Sequence, residues 1–147
     1  MDLAPTFARL AGAAMPEDRI IDGKDIWPLL AGEPGAKTPH EAFFYYKSWG
    51  LEAVRSGDWK LRFKKTPAKK GDVGEPMPPA VVPGELYNLA EDIGEEHNRI
   101  EEHPEIVERL SALAERCRED IGDAQTGAKG ANRRPPASAP VPDAAQK

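Results

Sequence analysis

The side chains that could do chemistry here are one cysteine, three histidines, an acidic turn, a basic strip and an aromatic run. Cys117 lies on the apolar stripe of a predicted helix. A nucleophilic thiol needs a cationic, partly exposed setting, so a buried structural thiol is the better reading. His40, His97 and His103 lack the H-x-x-x-H spacing that turns two imidazoles toward one metal, and they read as ordinary surface histidines. Glu91, Asp92, Glu95 and Glu96 lack the alternating ligands and fixed glycine of a calcium loop, which leaves a solvated acidic turn. Lys60, Arg62, Lys64, Lys65, Lys69 and Lys70, interleaved with Trp59 and Phe63, form a strip that could hold an anionic polymer. A solvated strand face is the simpler account. Tyr45, Tyr46, Lys47 and Trp49 are the best candidate for a functional surface. Plain packing in a β core is the competing explanation.

These residues need elements to position them. Asp2 to Gly12 predicts a short helix, with Asp2 as N-cap and Leu3, Phe7, Leu10 and Ala11 on one face. Asp22-Gly23 predicts a turn, and Asp25 a cap for a second short helix carrying Ile26, Trp27, Leu29 and Leu30. Residues 42–47 predict a strand, either central and buried on both faces or at an edge with its tyrosines facing a cleft. Residues 51–55 and 59–63 predict a hairpin through Gly57. Residues 65–84 are rich in Lys, Pro and Gly and predict a long loop. Residues 85–89 return as a strand, and Asn98 brakes the chain before a helix over 104–121. That helix carries Ile106, Val107, Leu110, Leu113, Ala114, Cys117 and Ile121 as one stripe. The expected division is 1–40 as a helical and turn segment, 41–121 as sheet plus helix, and 122–147 as a disordered or extended tail. The fold class expected is α+β, a small antiparallel sheet of about four strands with the C-terminal helix packed on it.

The chain has 147 residues and a formal net charge of −5. That length supports one domain with a core, and that charge argues against a chain-wide grip on nucleic acid. A single cysteine excludes an internal disulfide. No apolar run is long enough to span a membrane, and residues 1–5 do not have the pattern of a signal peptide. Localisation is left open.

Five segments carry a resemblance. Glu85-Leu86-Tyr87-Asn88-Leu89, continuing through Asp92, Glu95 and Asn98, is similar to the "E-L-Y-D-L-x-x-D-P-x-E-x-x-N" string near the C-terminus of sulfatases of the arylsulfatase type. Asn88 stands for the usual Asp and Ile93 for the usual Pro. Asp2-Leu3-Ala4-Pro5-Thr6 with Ala11-Gly12 resembles the family's "D-L-x-P-T…A-G" helix. Asp22-Gly23-Lys24-Asp25 with Leu29-Leu30 resembles its "D-G-x-D-L…L-L" turn. Residues Ala53-Val54-Arg55-Ser56-Gly57-Asp58-Trp59-Lys60 resemble its "A-V-R-x-G-x-W-K" hairpin, and His103-Pro104-Glu105 the start of its last helix. Gly122-Asp123 and Arg134-Pro135 are a weaker echo beyond.

The resemblance implies the C-terminal subdomain of an α/β sulfatase. The intact enzyme would hydrolyse sulfate esters with a formylglycine nucleophile, made from a Cys or Ser in a C/S-x-P/A-x-R motif, and a Ca²⁺ held by Asp and Asn residues. In the family those parts precede the segment that Asp2 begins. This chain is therefore expected to have no catalytic, cofactor-binding or metal-binding residue, to be a fragment, and to depend on the missing N-terminal domain as its partner. The resemblance also places loops of this subdomain near the rim of the active-site cleft. Tyr45, Tyr46, Lys47 and Trp49 are the substrate-rim candidates, and the basic strip could meet a sulfated substrate's remote charges. Alternatives are a free-standing binding module, and a fragment of a related phosphodiesterase or phosphonate hydrolase.

Overall fold

A computed structural model describes residues 1–66, 69–70, 76–77 and 80–133. The chain forms two compact units, one over 1–43 and one beginning at Phe44.

In the first unit α1 spans Leu3–Leu10 and α2 spans Trp27–Leu30. The α1 stripe expected from helical spacing points outward: Leu3, Phe7 and Leu10 are exposed, while Pro5 and Thr6 are buried. Thr6 can go inside because its hydroxyl is satisfied twice. It donates to the Asp2 carbonyl at 2.7 Å and accepts the Ile26 N–H at 3.0 Å. Asp2 does not cap α1 with its side chain. Its carboxylate instead accepts the Lys24 N–H at 2.9 Å and lies 2.8 Å from Nε2 of His40. Asp25 does act at the start of α2, accepting the Trp27 N–H at 2.9 Å. The 22–25 turn needs glycine at 23, since a Cβ there would lie 2.3 Å from the Met1 carbonyl oxygen.

The second unit is an antiparallel sheet with one long helix. Its strands are β1 (Phe43–Lys47), β2 (Gly50–Ser56), β3 (Trp59–Lys65) and β6 (Val81–Asn88), in the order β1-β2-β3-β6. Two short strands, β4 (Lys69–Lys70) and β5 (Pro76–Met77), pair with each other between β3 and β6. The aromatic strand β1 is an edge, which decides between the two expected placements. The β2–β3 hairpin turns through Gly57-Asp58 with Gly57 at φ +60, in the register Ser56↔Trp59 to Ala53↔Arg62.

Strand β6 begins earlier than the sequence suggests. Residues 81–84 were expected in a loop because of Pro83 and Gly84. The register jumps from Arg62↔Glu85 to Phe63↔Pro83, so Gly84 is the extra residue of a bulge. A bulge is where a strand tolerates a proline without an N–H. Residues 67–68, 71–75 and 78–79 of the stretch expected as a loop lie outside the described residues, as do the side chains of Lys69 and Lys70.

Helix α3 spans Pro104–Ile121 and lays Leu110, Leu113, Ala114 and Cys117 on the sheet. Leu51, Val54, Leu61 and Leu86 meet them as the buried core. Asn98 has a larger role than a brake. Its side-chain carbonyl accepts the N–H groups of Leu86 (2.9 Å) and Ile100 (3.1 Å), and the Arg99 N–H donates to the Leu86 carbonyl at 2.8 Å. Part of the free edge of β6 is thus satisfied by the loop that follows it.

The tail from Gly122 onward is expected to be disordered or extended. Residues 122–133 fold back along the end of α3. Ala131 and Asn132 donate their N–H groups to the Glu119 and Asp120 carbonyls at 2.7 and 2.8 Å. Those helix-terminal acceptors are thereby paired. The remainder of the tail, including Arg134-Pro135, lies outside the described residues.

Candidate functional site

The four rim candidates lie on β1 and the turn after it. Ser48 and Trp49 form a two-residue connection to β2, with φ +48 and +68. Positive φ at both central residues matches the twist of a two-residue hairpin, and Gly or Asn usually supplies it. A bulky residue there is strained. Trp49 nevertheless occupies the turn with 81% of its surface exposed. The turn is held from behind: the Ala124 N–H donates to the Trp49 carbonyl at 2.9 Å, and the Gln125 side chain lies where a Cβ on Gly50 would be.

Tyr46 faces the other way. Its hydroxyl donates to the Gly122 carbonyl at 2.8 Å and lies 3.5 Å from Sγ of Cys117. Burial pushes this phenol well above its ordinary value, with the Cys117 contact adding to the shift. Tyr46 therefore ties the edge strand to the end of α3. Tyr45 lies on the opposite side of the strand, under the ammonium of Lys60 at 4.8 Å from the ring centre. Lys47 is exposed at the strand end.

Tyr45 opens onto a cleft of about 690 Å³, in which Lys60, Glu95, Glu52, Arg62, Lys65 and Gln125 supply the polar lining. Lys60 is its fixed centre. Its ammonium is 2.5 Å from Oε1 of Glu95, and its side chain is only 16% exposed. The basic strip is thus partly neutralised by pairing, since Arg62 also meets Glu85 at 3.0 Å. Sequence reasoning missed Glu95 and Gln125 as neighbours of Tyr45. Glu95 is 35 residues from Lys60 and adopts φ +56, which no pattern in the turn announces.

The other reactive groups have structural surroundings. Cys117 is buried and burial raises its thiol pKa, which disfavours the thiolate. Asp92 accepts the N–H groups of Glu96 and His97 at 3.1 and 2.8 Å, so the acidic turn is organised by one carboxylate. His103 packs against Trp59, with ring centres 4.7 Å apart. Among the described residues no group of three or more His, Cys, Asp or Glu side chains is placed to hold a metal ion, so the described donors do not fit a calcium site. Among the same residues no helix is long and apolar enough to cross a membrane.

A four-stranded antiparallel sheet backed by one C-terminal helix, carrying an open polar cleft, defines a small α+β module. The family model for the C-terminal region of aryl-sulfatase matches residues 38–142, and the chain belongs to that family. Arylsulfatase A of Bos taurus is 35% identical over 127 residues, covering 77% of this chain and 24% of the relative. Steryl-sulfatase of Homo sapiens is 54% identical over 55 residues, covering 37% of this chain and 9% of the relative. A structure solved in work on the metabolism of multiple glycosaminoglycans by Bacteroides thetaiotaomicron superposes with a TM-score of 0.56 at 25% identity, covering 79% of this chain and 24% of that one. The chain thus spans about a quarter or less of the length of these relatives. Sulfatase kinship favours neither the phosphodiesterase or phosphonate hydrolase alternative nor the free-standing module.

Proposed function

We propose that this chain is the C-terminal subdomain of a sulfuric ester hydrolase, and that the intact protein cleaves sulfate esters to an alcohol and sulfate. The observation that carries this is the family match over 38–142, coincident with the sheet and helix of the second unit. The nucleophile, formylglycine in this reading, and the Ca²⁺ ligands belong to a partner domain that the family places N-terminal to this one. In this reading no step of the hydrolysis is assigned to the described residues. Residues 1–40 would complete that domain, and the outward stripe of Leu3, Phe7 and Leu10 fits such a role. Tyr45, Lys47 and Trp49 remain as rim residues that would meet substrate, whereas the Tyr46 hydroxyl is engaged internally.

The test is to express the chain together with any in-frame coding sequence that adjoins it, and to assay sulfate release from an aryl sulfate. Turnover by the longer protein and none by the chain alone is the expected result. Turnover by the chain alone, or a longer protein with no sulfatase activity, would overturn the reading.

A further inference from the structure

Residues 122–125 touch the β1–β2 hairpin from one arm, through its turn, to the other. The Gly122 carbonyl accepts the Tyr46 hydroxyl of β1 at 2.8 Å. The Ala124 N–H donates to the Trp49 carbonyl at 2.9 Å. The Gln125 side chain fills the space where a Cβ on Gly50 would lie, and Oδ1 of Asp123 accepts the Leu51 N–H of β2 at 3.2 Å. The same segment is closed on itself and on α3. Asp123 donates its N–H to the Ala128 carbonyl at 2.9 Å, and its other carboxylate oxygen takes Nε of Arg118 at 2.9 Å. Gly122 and Gly130, with φ +88 and +66, pack too closely for a side chain at 130.

The turn that this segment grips is strained. Ser48 and Trp49 both hold left-handed φ, at +48 and +68, where a two-residue turn favours Asn and Gly. The indole does little to hold that shape, since Trp49 is 81% exposed. Backbone in a sparsely populated region persists only where its surroundings over-determine it. Behind this turn, residues 122–125 do so.

We propose that residues 122–125 are a strap that keeps the Ser48-Trp49 turn in its left-handed form, so that strap and turn open and close as one local unit while the α3 core stays folded. Opening the strap releases the strain of the turn, and relaxing the turn takes from the strap its carbonyl partner. By linkage, a contact that favours one conformation of the turn shifts the strap by the same factor. The device does not depend on the sulfatase reading.

The experiment is native-state amide hydrogen exchange on the full 147-residue chain, with and without sub-denaturing urea. Leu51 and Ala124 report on the strap, because their N–H groups cross between it and the hairpin, and residues 110–117 report on α3. Leu51 and Ala124 are expected to share one protection factor, lower than that of α3 and nearly independent of urea, since the opening exposes little surface. Ser48→Asn/Trp49→Gly gives the turn the residues its twist favours and should raise both factors about tenfold. Tyr46→Phe removes the bond to the Gly122 carbonyl without touching the turn, and should lower both about fivefold. The proposal is overturned if Leu51 and Ala124 exchange only with α3, at its protection and urea slope. It is equally overturned if Ser48→Asn/Trp49→Gly leaves Ala124 unchanged, or if Tyr46→Phe moves one of the two amides without the other.

Discussion

Arg118, on the last turns of α3, donates from Nε to Oδ2 of Asp123 at 2.9 Å, and both side chains are removed from solvent, 5% and 0% exposed. The guanidinium also lies over the Phe63 ring at 4.7 Å and reaches Glu115 at 2.5 Å. The other carboxylate oxygen of Asp123 accepts the N–H groups of Leu51 (3.2 Å) and Gln125 (2.8 Å). One buried carboxylate thus joins α3, the start of β2 and the returning segment. Removing one partner of a buried pair leaves the other charge uncompensated, at a cost of about 3–5 kcal/mol. Asp123→Ala is expected to lose that much in urea denaturation. Asp123→Asn keeps an acceptor for the two N–H groups and should lose less.

Gly130 is fixed by both conformation and space. Its φ is +66, and a Cβ there would sit 2.4 Å from the backbone of Ile121 and Gly122. Gly130→Ala should destabilise by at least about 1–3 kcal/mol, the scale of a strained backbone. Gly127→Ala is the control, with φ +79 and nothing within 4 Å, so it carries strain without the clash. A melting temperature lower for Gly130→Ala than for Gly127→Ala is the expected order.

Trp49 is predicted to trade stability for exposure. Glycine adopts positive φ without steric cost, so Trp49→Gly should stabilise the chain by up to about 1 kcal/mol or leave it unchanged. Guanidinium unfolding monitored by circular dichroism reads this directly. A clear loss of stability would show that the indole packs on something and that its exposure is not the point.

Acid should weaken the turn after β6. Backbone N–H groups of His97 and Glu96 hold the Asp92 carboxyl below its ordinary value of 3.8. A depressed carboxylate pKa contributes stability that is present in full above the ordinary value. It is lost as pH falls through the lower, folded-state value. The protection factors of the Glu96 and His97 amides, taken against intrinsic exchange at each pH, should therefore hold above about pH 4 and fall as pH drops through the lower, folded-state value. Asp92→Asn should flatten that dependence.

Cys117 should behave as a core residue. In the folded chain it is expected to resist alkylation at neutral pH and to react fully in denaturant, since burial both covers it and raises its pKa. Rapid labelling in native buffer would reopen the case for a reactive thiol.

Periodicity by itself determined the pieces whose forces are local. The stripe from Ile106 to Ile121 bounds α3 at the residues seen, because helical spacing and Pro104 at its start act within a few residues. Alternation along Trp59 to Phe63 and a glycine turn likewise give the β2–β3 hairpin. The motif strings carry the family, and the fold agrees with them. Tertiary structure decided whatever depends on partners far along the chain. Tyr45 and Tyr46 look equivalent in sequence, yet one meets Lys60 and the other Gly122 and Cys117, because strand neighbours point to opposite faces. The outward face of α1 follows from Thr6 finding two partners, one of them 20 residues away. Asp123 sits in a stretch whose composition resembles a tail. It is buried only because Arg118, Leu51 and Gln125 converge on it, and a buried charge is held by its partners, which no local pattern records.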